Sequence, residues 1–346
     1  MEAGLGEFLV LPWPGTGTEG SDPGSTLLLR VGAALGVTLI CCVALRKWIA
    51  GGVCRSTIRL DGKTVVITGA NTGIGKETCR DLARRGARVI LACRDLTRAE
   101  QAAEEIRSST GNGNVLVRHL DLSSLYSVRT FAQELLGSEE RLDVLVNNAG
   151  VMMCPMSLTE DGLETQLAVN HLGHFLLTNM LLPLLRSSAP SRVVTVASVA
   201  HRGGVVHLED LNFSRRPYSR LQSYQQSKLA NVLFSRELGR RLRGSGVSSF
   251  SLHPGVIRTD LGRHLEGWFP VLGFLLRLPA LMLMKTPVQG SQTTLYLALE
   301  PGLEDKTGGY FSDCAETPAA PEGRDDETAR RLWEESSRLV GLEETC

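Results

Sequence analysis

A tyrosine and a lysine stand four positions apart in the segment YQQSK, as Tyr224 and Lys228. On a helix, residues i and i+4 share one face, so the phenol and the ammonium can meet. A free phenol has a pKa of about 10, too high for proton exchange at neutral pH, and a neighbouring ammonium lowers that pKa. The pair therefore predicts a general acid/base, although surface helices have the same spacing by chance.

Two further polar residues suit the same chemistry. Ser198 ends the apolar run RVVTVAS, and its hydroxyl can bond a substrate oxygen as negative charge develops there. Asn170 stands inside a helical pattern, VNHLG, where asparagine is mildly unfavourable, and it can hold a water in a proton relay. The alternatives are a serine that caps a turn and an asparagine satisfied by backbone. The predicted catalytic set is Tyr224, Lys228, Ser198 and Asn170, with Ser198 also binding the substrate.

A glycine-rich segment, TGANTGIG, occupies residues 68–75 between a predicted strand and a predicted helix. Its glycines let the backbone approach a pyrophosphate, and the helix N-terminus supplies free N–H groups and a partial positive charge. The strand–turn–helix context favours a dinucleotide site over a turn without a ligand. The residues predicted to bind the cofactor here are Gly69, Ala70, Asn71, Thr72, Gly73, Ile74 and Gly75.

The residue after the second strand distinguishes the two nicotinamide dinucleotides. An acidic side chain there binds the ribose 2′-hydroxyl of NAD. This chain has Arg94 instead, whose guanidinium can pair with a 2′-phosphate, and Lys76 can add a second charge. Asp95 would oppose the phosphate if it turned inward. The sequence therefore favours NADP(H).

Other residues complete the predicted cofactor site. Asp121, in LDLS, is expected to reach the adenine edge, and Asn148, in NNAG, to lie where the ligand crosses the sheet. The alternative for NNAG is an ordinary turn. Tyr224 and Lys228 are expected to contact the cofactor as well.

The elements that position these residues alternate as short strands and helices from Asp61 onward. Continuous apolar runs are typical of parallel strands buried on both faces, and the alternation predicts right-handed crossovers. The predicted fold is α/β, a doubly wound Rossmann-type sheet in one catalytic domain over 60–345. Thr97 is expected to cap the helix after the second strand, with Glu100 closing a capping box. Strands are predicted at 63–68, 88–93, 115–120, 143–147 and 192–197.

An apolar segment precedes this domain. Residues 31–45, VGAALGVTLICCVAL, hold no charge, and flanking residues extend the run toward the length that a bilayer requires. We predict a transmembrane signal-anchor at 26–49 and a short extramembrane segment at 1–25. Residues 1–25 hold no Lys or Arg, whereas Arg46, Lys47, Arg55 and Arg59 follow the uncharged run, which places the catalytic domain in the cytosol. The alternatives are a buried core helix and a cleaved signal peptide.

A second apolar stretch, 267–284, is interrupted by Pro270, Arg277 and Pro279, so it is a poor membrane span. We expect it to cover the substrate or to touch the membrane, and the alternative is a pair of ordinary core helices.

Several classes of function are disfavoured. The net charge is zero, so no basic field attracts nucleic acid. No cysteine pair has metal-type spacing, and the histidines are interpreted as structural, so no metal is predicted. The eight cysteines are expected to be reduced, which agrees with a cytosolic domain. The histidines concerned are His171, His174, His201 and His253.

The motifs TGANTGIG, NNAG, VNHLG, VAS, YQQSK and HPG together resemble the short-chain dehydrogenase/reductase superfamily over about residues 58–345. Longer stretches, such as NNAGVMMCP, VNHLGHFLLT and GGYFSDC, resemble the microsomal NADPH-dependent retinol dehydrogenases that reduce all-trans-retinaldehyde. The resemblance implies a mainly parallel seven-stranded sheet, an anchor in the endoplasmic reticulum membrane, and Tyr224 as the general acid/base. It implies as partners a retinoid or other hydrophobic aldehyde or alcohol, the lipid bilayer, and possible further copies of the chain in a homo-oligomer.

Two alternatives to a retinaldehyde reductase are kept. One is a reductase of steroids or of lipid-derived medium-chain aldehydes, because the sequence does not rank the residues of the substrate pocket. The other is a non-catalytic module that senses NADPH, which would be expected to have lost part of the proton-transfer set.

Overall fold

The computed structural model describes residues 23–257 and 284–342 of the chain. Contacts between residues divide the chain into two compact units, Met1–Trp48 and Ile49–Cys346. The first unit contains most of helix α1 (Pro23–Ala50), and this helix includes the predicted anchor segment 26–49.

Helix α1 has the length and composition of a membrane span over Arg30–Ala50, the one such helix among the described residues. Its apolar side chains are exposed, with exposed fractions of 67% at Leu35, 69% at Ile40 and 80% at Trp48. A core helix buries such side chains against its neighbours. Helix α1 is therefore not the buried core helix of the alternative interpretation.

Eight strands form one sheet in the described part of the second unit, in the order β3-β2-β1-β4-β5-β6-β7-β8. Neighbours are parallel from β3 to β7, which confirms the predicted doubly wound sheet, and each of the five predicted strands is correct to within one residue at either end. The two-residue strand β8 adds an antiparallel edge that the sequence did not predict. The strands are β1 (Thr64–Thr68), β2 (Arg88–Cys93), β3 (Val115–His119), β4 (Val144–Asn147), β5 (Ser191–Val196), β6 (Val247–His253), β7 (Tyr310–Ser312) and β8 (Ala315–Glu316).

Helices cover both faces of this sheet. Val65 and Ile67 of β1 pack with α2, α3 and α8, whereas Val66 packs on the opposite face with α4, α6 and α7. Both faces are apolar because both are covered, which explains the continuous hydrophobic runs of the strands. The helices are α2 (Gly73–Arg84), α3 (Leu96–Thr110), α4 (Leu125–Ser138), α5 (Thr165–Leu167), α6 (Gly173–Ser187), α7 (Arg220–Arg241), α8 (Pro287–Leu299) and α9 (Asp326–Leu339).

The C-terminal helix α9 packs on α7. Its Trp333 ring lies 4.9 Å from the ring of Phe175 on α6 and 5.8 Å from that of Phe234 on α7, measured between centroids. The last helix of the described chain thus covers an aromatic cluster formed by α6 and α7.

The sheet has a topological switch point between β1 and β4. From β1 the chain proceeds to β2 and β3 on one side, and then returns to form β4 on the other side of β1. Ligands of such sheets bind at the carboxyl ends of the strands at this point. Thr68 ends β1 and Asn147 ends β4, so the glycine-rich turn and the NNAG segment lie side by side there.

Two predictions about individual segments need comment. The capping prediction for α3 was wrong: the helix begins at Leu96, and the Asp95 carboxylate accepts a hydrogen bond from the Arg98 backbone N–H at 3.0 Å. Aspartate caps a helix as well as threonine does, so the sequence pattern did not distinguish the two. The second apolar stretch, 267–284, falls outside the described residues except for Met284.

Candidate functional site

The glycine-rich turn joins β1 to α2 at the switch point. Gly69 and Gly73 have positive φ angles of 62° and 57°, which residues other than glycine rarely adopt. A Cβ atom on Gly75 would lie 2.6 Å from Asn148 Nδ2 and 2.6 Å from the Gly69 carbonyl oxygen. Only glycine fits here, and the turn therefore leaves its backbone open to a close ligand.

Asn148 ties this turn to the end of β4. Its Nδ2 donates to the carbonyl oxygens of Thr68 at 2.8 Å and Gly69 at 3.2 Å. The Thr68 hydroxyl in turn accepts from the backbone N–H groups of Asn148 and Ala149, each at 2.9 Å. The NNAG segment is therefore part of the cradle and not merely a turn after β4.

A buried histidine extends this network to the predicted catalytic residues. His174 Nδ1 lies 3.0 Å from the Asn170 carbonyl oxygen, which can only accept, so Nδ1 donates the proton. Burial lowers the pKa of His174 to about 4, so the ring is neutral and its Nε2 accepts from the Thr68 hydroxyl at 2.8 Å. The sequence correctly predicted a structural histidine, but the pattern did not show which groups it joins.

A cleft of about 310 Å³ opens over the glycine-rich turn. Most of the predicted cofactor residues line it, but Ala70 is fully buried beneath it, and Tyr224 and Lys228 do not border it. The predicted residues that line the cleft are Gly69, Asn71, Thr72, Gly73, Ile74, Gly75, Arg94, Asp121 and Asn148.

The charged end of the cleft differs from the prediction in one respect. Arg94 lines it with an exposed side chain, as expected, but Lys76 does not, because its ammonium pairs with Glu105 Oε2 at 2.6 Å. Arg98, one turn into α3, lines the cleft instead. The Asp95 carboxylate caps α3, so its Oδ1 is already hydrogen-bonded to the Arg98 backbone N–H group. Arg98 is thus a further cation at this end of the cleft, and the role of Lys76 stays a prediction.

Asp121 lies at the same end of the cleft. Its Oδ1 accepts from the Ser123 backbone N–H at 2.9 Å and from the Ser123 hydroxyl at 2.6 Å, while Oδ2 is 4.0 Å from Arg94 Nη1. The carboxylate is therefore held in a fixed orientation beside the guanidinium. Together with the glycine cradle and two arginines, it forms a site whose shape and charge fit a phosphorylated dinucleotide.

The catalytic set converges at the other end of the cleft. A Cβ atom on Gly150, which lines the cleft, would lie 3.1 Å from Asn170 Oδ1 and 3.5 Å from Lys228 Nζ. Lys228 Nζ lies 5.9 Å from the centroid of the Tyr224 ring. The two residues share one face of α7, as their spacing predicted, and Lys228 Nζ lies behind Gly150 in the wall of the cleft.

Asn170 stands in a π-helical turn, Ala168–Leu172, immediately before α6. Its Oδ1 accepts from the Val151 N–H at 2.8 Å, and its Nδ2 donates to the Val151 carbonyl and to Ser227 Oγ, both at 2.9 Å. Such turns occur frequently at functional sites, where they shift a side chain out of the regular helix. The side-chain amide of Asn170 is therefore hydrogen-bonded to backbone, as the alternative interpretation held. These bonds also hold the wall of the cleft beside Lys228.

Ser198 follows β5 and caps the short 3₁₀-helix Val199–Gly203, accepting from the Ala200 N–H at 3.2 Å. Its side chain is also a neighbour of Tyr224 that lowers the pKa of the phenol. The capping role and the proximity to Tyr224 are therefore both present.

The electrostatics of the pair differ from the sequence-based expectation. Burial raises the pKa of Tyr224 above its ordinary value, and the neighbouring Ser198 side chain only partly opposes this change. Burial also lowers the pKa of Lys228 to about 8, and its Nζ donates to the Val196 carbonyl at 3.1 Å. A desolvated ammonium that bonds elsewhere does not offset the burial of the phenol, so Ser198 is the group that favours the phenolate.

No group of three or more metal-binding side chains occurs in residues 23–257 or 284–342. Six cysteines of this part of the chain are free thiols, at positions 41, 42, 54, 79, 93 and 314.

Solved structures with this fold include an uncharacterized protein from Mycobacterium paratuberculosis, with 39% sequence identity and a TM-score of 0.68 over 85% of this chain and 98% of that one. The Pseudomonas aeruginosa RhlG/NADP active-site complex has 28% identity and a TM-score of 0.59 over 73% of this chain and 95% of that one.

Relatives with assigned functions are closer in sequence. Human retinol dehydrogenase 12 is 55% identical over 299 residues, which cover 86% of this chain and 93% of the relative. Human retinol dehydrogenase 13 is 51% identical over 312 residues, which cover 90% of this chain and 94% of the relative. The family profile described as short chain dehydrogenase matches residues 63–268, more than half of the chain. Together with the cleft at the switch point, these similarities show that the chain is an oxidoreductase of the short-chain dehydrogenase family.

Proposed function

We propose that this chain is an NADP(H)-dependent retinol dehydrogenase that acts as a retinaldehyde reductase, with all-trans-retinal reduced to retinol as the favoured reaction. The observation that carries the proposal is the 55% identity with human retinol dehydrogenase 12 over 93% of that protein. The match spans nearly the whole length of that relative.

The cleft supports NADP(H) as the cofactor. In the proposed site, the backbone of residues 69–75 and the N-terminus of α2 hold the pyrophosphate, and Asn148 keeps that turn in shape. Arg94 and Arg98 bind the ribose 2′-phosphate, and Asp121 lies at the adenine end. When bound, the nicotinamide supplies or accepts the hydride.

The residues beside the cleft perform the proton chemistry. Ser198 donates a hydrogen bond to the carbonyl oxygen of the aldehyde and stabilises the negative charge that develops there. Tyr224 delivers the proton to that oxygen, and in the reverse direction removes it from the alcohol. Lys228 holds the ribose next to the nicotinamide and restores the proton of Tyr224, while Asn170 holds a water that continues the relay.

The membrane location extends this proposal. The exposed apolar surface of α1 supports a signal-anchor at 26–49, with a short extramembrane segment at 1–25 and a catalytic domain at 60–345. We place the protein in the endoplasmic reticulum membrane as a single-pass protein with this domain in the cytosol. The catalytic domain is then held at the membrane in which a retinoid dissolves.

The test is turnover of the purified full-length protein, in detergent micelles, on all-trans-retinaldehyde with NADPH or NADH. We expect retinol formation, with kcat/KM at least about tenfold higher for NADPH, the effect of one lost charge-assisted bond. Steroid ketones and medium-chain aldehydes serve as competing substrates. A higher kcat/KM for either would replace the retinoid assignment, and NADPH binding without turnover on any of them would favour the non-catalytic module.

A further inference from the structure

His201 is a fully buried histidine that the proposed mechanism does not use. It lies three residues after Ser198, in the 3₁₀-helix Val199–Gly203. Its Nδ1 is 2.7 Å from the Ser198 carbonyl oxygen, and its Nε2 is 3.1 Å from the backbone nitrogen of Ala320. The side chain therefore joins the loop of Ser198 to a segment more than a hundred residues away in the sequence.

The partners of the two ring nitrogens fix its protonation. A carbonyl oxygen only accepts, so Nδ1 carries the proton, and a backbone N–H only donates, so Nε2 has a free lone pair. The neutral Nδ1–H tautomer satisfies both bonds, whereas a protonated ring would face the Ala320 N–H with a second donor. Burial lowers the pKa of His201, which agrees with the neutral form.

The surroundings hold the ring in this orientation. Its centroid is 4.7 Å from that of Tyr310 on β7, and Ala320 precedes the 3₁₀-helix Pro321–Arg324, which packs on α7. The Ser198 carbonyl also accepts from the His201 backbone N–H at 3.1 Å. Ser198 is thus fixed by its own turn on one side and, through the imidazole, by the C-terminal part of the domain on the other.

We propose that His201 is a positioning residue, which sets the orientation of the Ser198 hydroxyl toward the substrate oxygen mainly through the bond from Nδ1 to the Ser198 carbonyl, while the bond from Ala320 to Nε2 holds the ring in place. The proposal rests on the function proposed above, because it assigns Ser198 its role in that reaction. Displacement of a catalytic group by about 1 Å can lower the rate as much as about 100-fold, so a residue that touches no reactant can govern kcat.

Two amide substitutions separate the two bonds. The amide nitrogen of asparagine is as many bonds from Cβ as Nδ1 is, so His201→Asn retains a donor to the Ser198 carbonyl. The amide oxygen of glutamine corresponds to Nε2, so His201→Gln retains only the acceptor for Ala320. We expect His201→Asn to keep kcat within about threefold of wild type and His201→Gln to lower it by about tenfold or more, with the Kd for NADPH unchanged in both.

A double-mutant cycle with Ser198→Ala distinguishes positioning from a general loss of stability. If His201 acts through Ser198, adding His201→Gln to Ser198→Ala lowers kcat no further. Ser249→Ala, which removes the buried Ser235–Ser249 hydrogen bond at 3.0 Å, is the control for lost stability and should leave kcat unchanged. Equal kcat values for the two amide variants, or additive losses in the cycle, would overturn the proposal.

The far end of the link provides a variant that leaves the histidine in place. Ala320 has φ −53° and ψ 154°, which proline can adopt, so Ala320→Pro removes the N–H donor without changing the backbone. We expect Ala320→Pro to lower kcat less than His201→Gln does, and to cause no further fall in the Ser198→Ala background. An unchanged kcat in Ala320→Pro would overturn the link. All ratios are taken against wild type, so a wild-type protein inactive on every substrate would count against the proposed function and not specifically against His201.

Discussion

Tyr224 is the residue on which turnover depends most directly in the proposed mechanism. Tyr224→Phe removes the hydroxyl that exchanges the proton but keeps the buried ring, so kcat should fall by about 100-fold or more. Because the ring does not border the cleft, the Kd for NADPH should stay within about twofold. Steady-state kinetics and the fluorescence of bound NADPH measure the two quantities. Retained turnover in this variant would remove Tyr224 from the mechanism.

Burial of the Lys228 ammonium lowers the stability of the folded protein. Its pKa falls from 10.5 in a solvated chain to about 8 in the fold, so the folded protein binds its proton less readily. Between these two pH values the unfolded chain holds more protons, and stability therefore rises with pH across that window; below pH 8 the full cost remains, on the order of 3 kcal/mol.

Lys228→Met should therefore abolish turnover and yet raise the Tm at pH 7, with a gain that shrinks at about pH 9.5 as wild type loses the proton. The lost bond to the Val196 carbonyl reduces this gain at both pH values, so the change in the gain with pH is the decisive quantity. Thermal unfolding of both proteins at the two pH values measures it. An equal difference in Tm at both would contradict the burial argument.

At the scale of elements, the junction of β2 and α3 determines the choice of cofactor. Arg94 and Arg98 line the cleft there, whereas Lys76 is paired with Glu105. Arg94→Ala and Arg98→Ala should each raise KM for NADPH by about tenfold or more and leave KM for NADH nearly unchanged. Lys76→Ala is the matched control, and its KM for NADPH should stay within about twofold. A loss of the same size in this control would return Lys76 to the site.

The same junction shows what the sequence predicted and what it did not. The β2 strand was correct at both ends because VILAC is a continuous apolar run between Arg88 and Arg94. Arg94 follows from its position after that strand. The pairing of Lys76 with Glu105 and the position of Arg98 at the cleft do not follow from the sequence, because they depend on how α2 and α3 pack together.

The catalytic set shows a similar division. The spacing of Tyr224 and Lys228 placed both on one face of α7. Short motifs suggested Asn170 and Ser198, whose catalytic roles stay predictions. His201 and His174 were recognised only as structural, because their partners, Ala320 and Thr68, are distant in sequence. The two-residue strand β8 was not predicted, since a pair of exposed residues has no hydrophobic pattern.

For the whole molecule, the central prediction concerns α1. Ile40 lies in the middle of Arg30–Ala50, where an arginine costs about 3 kcal/mol to insert into a bilayer. The Ile40→Arg variant should therefore be extracted from membranes by alkaline carbonate more than wild type. Arg55→Ala, beyond the helix, is the control. Equal extraction of Ile40→Arg and wild type would exclude α1 as the anchor.

The orientation requires a separate measurement. Asn212 begins an N-glycosylation acceptor triplet, but its Nδ2 donates to the Gly162 carbonyl at 3.2 Å and its Oδ1 accepts from the Glu164 N–H. The absence of a glycan there would not report the orientation, because the amide is engaged in the fold. Protease treatment of intact microsomes is the better measurement, and the proposed cytosolic orientation requires the catalytic domain to be digested without detergent.

The packing of α9 has a consequence for biosynthesis. Trp333 covers Phe175 and Phe234, yet it is translated after almost all of the sheet. The nascent protein therefore emerges with an aromatic patch exposed to water until its final helix leaves the ribosome, an interval in which chaperones can bind and partly made chains can aggregate. A premature stop codon just before this helix would prolong that vulnerable state indefinitely, even though every residue of the proposed chemistry had already been made.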